Sequence, residues 1–277
     1  MDLNGLESIL LGLMSGFFEM VPVSAQVHRL LMLKFAGIQS SLPLQDLLIH
    51  IGILLALYIS CQKQLLRMSR AKALSHVPPK KRRRPLDVQS LMDWRLLRTM
   101  LIPVIVMLFF YRYTRKWNQN PLWLAGFLVI NGGILFLPQF FPTGNRDSRT
   151  LSRVEGLLMG LGGSAAILPG ISAVGTAASV GSICGIDRRY ALDMAVLMNL
   201  FFTVGWIVYD VMALAGGIGD VTVWLVVKGL LTMGAAFGGT LLGVRLMRYL
   251  AKEHGYTIFA FYCWGIALFT FILNLMA

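Results

Sequence analysis

Apolar residues run along this chain in blocks too long for the interior of a soluble domain, and short polar stretches separate them. A helix needs about 20 predominantly apolar residues to cross the hydrocarbon core of a bilayer. Six blocks meet or approach that length: Asp46–Cys61, Leu97–Tyr113, Pro121–Phe140, Ala191–Ala215, Thr222–Gly243 and Thr257–Met276. Each predicts a transmembrane helix. Two further blocks, Leu6–Leu33 and Val154–Cys184, are long enough but are broken in the middle by Pro22 and Pro169. Backbone freed by such a break must be satisfied by protein or water, so both blocks are expected to line a cavity. We read them as re-entrant helical hairpins. The expected fold class is therefore all-α integral membrane, with six transmembrane helices and two re-entrant hairpins in one polytopic domain, 1–277.

The two broken blocks resemble each other. Glu7-Ser-Ile-Leu-Leu-Gly-Leu opens the first and Glu155-Gly-Leu-Leu-Met-Gly-Leu the second. Ser24-Ala25 follows Glu7 at the same offset as Ser172-Ala173 follows Glu155, with a proline shortly before each serine. The chain thus divides into 1–140, with its hairpin at 6–33, and 154–277, with its hairpin at 154–184. The segment 62–98 carries eleven Lys/Arg and two Asp, and cytoplasmic loops concentrate Lys and Arg. That segment is expected to be a cytoplasmic loop, which puts the N-terminus and Gly216–Asp220 outside and Arg146, Arg149 and Arg153 inside. Arg188 and Arg189 also fall inside, provided 154–184 returns to the side it entered from. The first hairpin then enters from outside and the second from inside. Inverted repeats of broken helices place a site at their junction, near the midplane.

Composition agrees and narrows the classes. Of 277 residues, 56% are apolar and 14% charged, against roughly 25% charged in soluble domains. The mean hydropathy is +0.68. A soluble enzyme, a disordered chain and a secreted disulfide scaffold are excluded. The net charge of +12 looks like a nucleic-acid signal until it is located: 62–98 alone holds +9 of it. No groove-reading motif accompanies that charge, so nucleic acid is not an expected partner, whereas membrane lipids are. Cys61, Cys184 and Cys263 stand singly in apolar or small-residue stretches and read as small hydrophobes. The opening Met-Asp-Leu-Asn-Gly lacks the positive region of a cleavable signal peptide.

Ionisable groups inside a membrane are costly and count as functional candidates by default. Glu19, Ser24, Gln26, His28 and Arg29 lie within eleven residues around Pro22. Glu19 sits between Phe17-Phe18 and Met20-Val21, and His28 is expected to face it across the break. A carboxylate and an imidazole can share acid–base work on a phosphate or hold a divalent ion, so Glu19, His28 and Ser24 are the catalytic candidates. Glu19 is also the candidate metal ligand. The simpler reading is that Glu19 only pins the second half-helix. Half-helix N-termini favour anions, which makes Ser172 and the Gly170 backbone phosphate-binding candidates together with Arg29 and Gln26. Gly162, Gly163 and the run Ala173–Gly181 read as close helix packing. His50, one turn after Asp46, faces a cavity or is a satisfied interior histidine; Asp193 and Asn199 lie on a polar helix face; Lys228 snorkels toward an interface.

Leu10–Leu33, with its Gly-Leu-Met-Ser-Gly-Phe-Phe-Glu-Met-Val-Pro-Val-Ser-Ala-Gln-Val-His core, resembles the first motif of bacterial undecaprenyl-pyrophosphate phosphatases. Leu168–Thr176 is similar to their second motif, Pro-Gly-x-Ser-Arg-Ser-Gly, and Gln45–Leu55 to a third segment, with His50 in place of a glutamine. Glu19, Ser24, His28 and Ser172 hold motif positions. Ser15 stands where the first motif has its leading glutamate, Ala25 where it has its second serine, and Ala173 where the second motif has its arginine. The resemblance implies a membrane enzyme of cell-wall synthesis that dephosphorylates the polyprenyl pyrophosphate carrier, with a divalent cation, Mg or Ca. The three departures carry the alternative: a catalytically degenerate homologue that binds or translocates polyprenyl phosphate without hydrolysis. Polyprenyl (undecaprenyl) phosphate or pyrophosphate is the expected lipid partner, a second copy of the chain is a further candidate, and the expected location is the cell (inner or plasma) membrane.

Overall fold

The computed structural model describes residues 4–38, 43–114, 116–117, 120–215, 222–253 and 255–275. They form ten α-helices: α1 (Gly5–Met20), α2 (Ala25–Phe35), α3 (Pro43–Ser75), α4 (Val88–Thr114), α5 (Pro121–Phe136), α6 (Arg153–Ser164), α7 (Ala173–Ile183), α8 (Arg188–Leu214), α9 (Val223–Glu253) and α10 (Thr257–Leu275). Helices α3, α4, α8, α9 and α10, and α5 with the 3-10 turn that extends it to Phe140, are long and apolar enough to cross a membrane. Phe109, Phe140, Trp224, Ile258 and Leu275 point outward from the bundle, an apolar exterior that suits lipid rather than water.

Both long blocks break where the prolines stand. Pro22 separates α1 from α2, and Pro169 separates α6 and its terminal 3-10 turn from α7. The matched openings of the two blocks have a local cause. Asn4 caps α1 with a reciprocal bond to Glu7, and Ser152 caps α6 with the same box to Glu155. Two orphan N–H groups are satisfied at each start, so Glu7 and Glu155 serve as caps.

One expected boundary needs correction. Segment 62–98 is not a loop throughout: α3 continues to Ser75 and α4 begins at Val88, leaving only 76–87 between them. At 1.5 Å per residue the 33-residue α3 is roughly 50 Å long, well beyond a hydrocarbon core of about 30 Å. Its Lys/Arg-rich end therefore projects out of the bilayer as helix. The expected external turn 216–220 lies outside the described residues.

The halves pack by exchange. Helix α1 lies along α9 of the other half, and α6 lies along α4. A Cβ at Gly12 or Gly16 would collide with the carbonyls of Thr232 and Ala236, and one at Gly239 with that of Leu13. Small residues on both helices let the backbones touch, the usual basis of helix association in lipid. At α6 the corresponding contacts are Gly156 on Thr99 and Gly160 on the Met100 carbonyl. Helix α3 packs on both α8 and α9, α8 on α4, and α5 on α10. Of the six helices long enough to span, α8 is the most enclosed, with Met194–Leu200 buried throughout.

Arg146 ties the ends of the second broken block together. Its backbone bridges Ile186, while its guanidinium donates to Glu155 Oε1 at 2.5 Å, the Cys184 carbonyl at 3.0 Å and the Thr150 carbonyl at 2.8 Å. Beside it, buried Asp93 accepts from Ser148 Oγ and Tyr190 Oη, each at 2.5 Å, and from Gln89 Nε2 at 3.1 Å. This cluster fixes the 141–152 connection against α4 and α8.

Candidate functional site at the junction of the two breaks

The two breaks meet. Gly175, in the first turn of α7, lies directly against Pro22, and a Cβ there would overlap the proline ring. Asn131 of α5 joins them: its Nδ2 donates to the Pro22 carbonyl at 3.0 Å, and its Oδ1 accepts the Ser172 N–H at 3.0 Å. Pro22 cannot continue a helix and Ser172 begins one, so each leaves a backbone group that needs an outside partner. One buried amide supplies both. Cys263 of α10 also reaches this point, accepting from Asn131 Nδ2 at 3.2 Å. Its small-hydrophobe reading holds for burial but omits that contact.

Glu19 stands in the last turn of α1, partly buried, with Oε1 accepting from Asn199 Nδ2 of α8 at 3.0 Å. Ser15 lies one turn earlier, on the same face as Glu19. The hydroxyls of Ser15 and Ser24 and the Oδ1 of Asn199 are buried without a hydrogen-bond partner among the described residues. Buried polar atoms are normally paired, so each of these three has bonding capacity for water or a polar ligand. Ser24 adds a backbone signal. At φ +65° it is the one non-glycine with positive φ among the described residues, a conformation costing about 1–3 kcal/mol that clusters at functional sites.

Both ring nitrogens of His28 bond groups other than Glu19. His28 stands one turn after Ser24, whose carbonyl takes its Nδ1–H at 2.8 Å; this turns the ring toward α10, where Nε2 meets Tyr262 Oη at 2.8 Å. Phe18 stacks on the ring at 3.9 Å between centroids. Arg29, expected to bind phosphate, pairs instead with Asp46 of α3. Asp46 sits one turn before His50, and His50 bonds Asp210 of α8 through Nδ1 at 2.6 Å, so His50 is a satisfied interior histidine. Gly170 has φ +111° and packs on Leu124 and Phe127 of α5, so its part is the turn. Ser172 caps α7, its Oγ accepting from Gly175 N–H at 3.2 Å. Gln26 lies partly buried in the first turn of α2. Of the other polar positions, Asp193 pairs with Arg248 of α9 at 2.7 Å.

No three His, Cys, Asp or Glu side chains gather as a metal cage among the described residues. Glu19 offers a single carboxylate, which fits a cation held jointly with phosphate oxygens, the usual way Mg²⁺ is bound.

The family model of bacitracin resistance protein BacA matches residues 8–269, nearly the whole chain. The chain belongs to the BacA family. Among its relatives, the undecaprenyl-diphosphatase of Methanobrevibacter smithii is 28% identical over 272 residues, covering 96% of each chain. That of Methanosphaera stadtmanae is 24% identical over 289 residues and 99% of each. Undecaprenyl-diphosphatase 1 of Shouchella clausii is 25% identical over 278 residues, 96% of this chain and 95% of the relative.

Three contacts of this candidate site were not expected as partners from the sequence of this BacA-family chain: Asn131, Asn199 and Tyr262. Asn131 carried a signal, since an amide in the middle of the apolar run 121–136 needs a reason. Tyr262 carried none, because tyrosine is ordinary in transmembrane helices near an interface.

Proposed function

We propose that this protein is an undecaprenyl-diphosphatase-like membrane hydrolase, which removes the terminal phosphate of the polyprenyl pyrophosphate carrier used in cell-wall synthesis. One observation carries the reading. The break bearing Glu19, Ser24 and His28 abuts the break bearing Ser172, in a chain whose family model spans 8–269. Relatives bearing the name undecaprenyl-diphosphatase align along nearly their full length, which favours hydrolysis over a degenerate carrier-binding homologue.

Glu19 and His28 handle protons, water or the cation, while Ser24 and Ser172 position phosphate oxygens. The head group lies between the hairpins and the prenyl tail extends into lipid. Glu19, with phosphate oxygens, is the residue that would hold a divalent cation, which when bound neutralises charge on the transferred phosphoryl group. Asn199 fixes Glu19 from the opposite half, and the Ser24 hydroxyl, without a partner among the described residues, lies between Glu19 and His28 in the sequence.

The same reading includes the inverted repeat. Exchanging the halves maps α1 on α6 and α9 on α4, so the two exchanged packings correspond. Paired capping boxes at Glu7 and Glu155 and paired N-cap serines, Ser24 and Ser172, support it. The Arg146–Ile186 bridge joins the two ends of 154–184, which supports a hairpin that leaves on the side it entered. The Lys/Arg-rich connection 76–87 supports a cytoplasmic side for that connection and an N-terminus outside.

The test is phosphate release from undecaprenyl pyrophosphate by the detergent-purified protein, with and without Mg²⁺ or Ca²⁺, beside Glu19→Gln and His28→Ala. Cation-dependent release lost in both variants is the expected result. Absence of release from the unmodified protein under every cation condition would overturn the assignment.

A further inference from the structure

His28 has no free nitrogen. The Ser24 carbonyl can only accept, so the contact at Nδ1 requires the proton to be on Nδ1. In the neutral ring the lone pair then resides on Nε2, and Tyr262 Oη meets that atom at 2.8 Å, so the phenol O–H donates to it. Phe18 covers one face of the imidazole, and His28 is buried, 6% exposed. Tyr262 is 41% exposed, on the margin of the bundle. A proton reaching or leaving Nε2 in this arrangement has one adjoining atom to pass through, the tyrosine oxygen.

We propose that Tyr262 is a further residue of the phosphatase machinery, the hydroxyl through which His28 exchanges protons with water or phosphate at the junction. This rests on the hydrolytic reading above. The phenol oxygen keeps a lone pair while its hydrogen points at Nε2. As a water attacks phosphorus it passes a proton to Tyr262 Oη, and the tyrosine proton moves to Nε2. The water oxygen forms a bond to phosphorus, the bridging P–O bond breaks, and polyprenyl monophosphate leaves with the bonding pair. The imidazole becomes an imidazolium whose second N–H is already held by the Ser24 carbonyl. The positive φ of Ser24 gains a purpose here, since that residue aims the carbonyl that fixes the tautomer. Return of the proton along the same path resets the pair. The titratable groups facing Tyr262 are His28 of α2 and the neighbouring thiol of Cys263.

Tyr262→Phe keeps the ring and removes only the hydroxyl. Expected is a fall in kcat of about 10²-fold with KM within twofold, since general acid–base assistance contributes about 10²–10⁴. The competing role, a tyrosine that merely blocks His28, predicts equal or higher kcat, because the substitution frees Nε2. A second readout uses 3,5-difluorotyrosine at position 262, a phenol more acidic than the ordinary tyrosine of about 10. A relay needs the protonated phenol, so the alkaline limb of the pH–rate profile should move down by more than one pH unit. Tyr262→Phe at full kcat, or an unmoved alkaline limb, overturns the relay while the unmodified enzyme's activity keeps the phosphatase reading. An unmodified protein without activity removes both.

Discussion

Gly175 of α7 touches Pro22 of the other broken block with no room for a side chain between them. Each residue sits at a break, so this contact sets the distance between the two halves of the site. Gly175→Ala must push Pro22 away, and with it the Ser24 and His28 that follow. Overpacking of this kind costs about 1–3 kcal/mol. We expect a lower melting temperature in detergent and a loss of phosphate release larger than the loss of folded protein. Full activity with an unchanged melting temperature would show that the junction tolerates separation.

Asn199 is expected to matter through Glu19. Its Nδ2 holds Oε1, and the side chain is fully buried. Asn199→Ala frees the carboxylate to rotate, with an expected cost of about tenfold to 10²-fold in kcat, on the scale of misplaced catalytic groups. The measurement that checks the route is the same substitution in Glu19→Gln. If Asn199 acts only by orienting Glu19, it adds little in that background; an undiminished second loss would mean that it serves something else.

The breaks were legible because proline announces them, and the six spans because apolar length does. The sequence placed Glu19, Ser24, His28 and Ser172 in those breaks, and the structure brings the breaks together. What it could not supply were the partners. Asn131 is 109 residues from Pro22, Asn199 is 180 from Glu19, and Tyr262 is 234 from His28. A helix period reports which residues share a face of one helix and carries nothing about which helix lies opposite. The same limit explains His28: its nearness to Glu19 in sequence suggested a pair, but its Nδ1 bonds the Ser24 carbonyl one turn away and its Nε2 meets Tyr262. Helix ends were misjudged for another reason, since charged residues after Cys61 look like loop yet are good helix formers that can project beyond the bilayer.

Asp93 anchors the 141–152 connection. Its Oδ1 receives Ser148, Tyr190 and Gln89, so Asp93→Ala takes the acceptor from the buried Ser148 hydroxyl and the half-buried Tyr190 phenol. Such orphaned groups cost about 1–3 kcal/mol each in the interior. The connection carries Arg149, whose side chain is 64% exposed and held by Asp147. Limited trypsin treatment should therefore cleave faster near Arg149 in Asp93→Ala than in the unmodified protein. Equal cleavage rates would mean that the cluster does not hold the connection.

Arg29 and Asp46 make the sharpest contrast between a structural and a substrate-binding charge. Arg29 is paired with Asp46. The pair is half-buried; breaking it from one side strands the other charge, whereas replacing both partners with apolar residues is often neutral or stabilising. Arg29→Met and Asp46→Leu should each lower the melting temperature, and the double variant should recover most of it. Activity decides the role. If Arg29 is spent on Asp46, the double variant releases phosphate at a rate within about threefold of the unmodified protein, less than the 10²–10³ that losing one preorganised transition-state donor typically costs. A double variant that folds normally but loses that larger factor would make Arg29 the cation that meets the phosphate, in the place that Ala173 leaves without one.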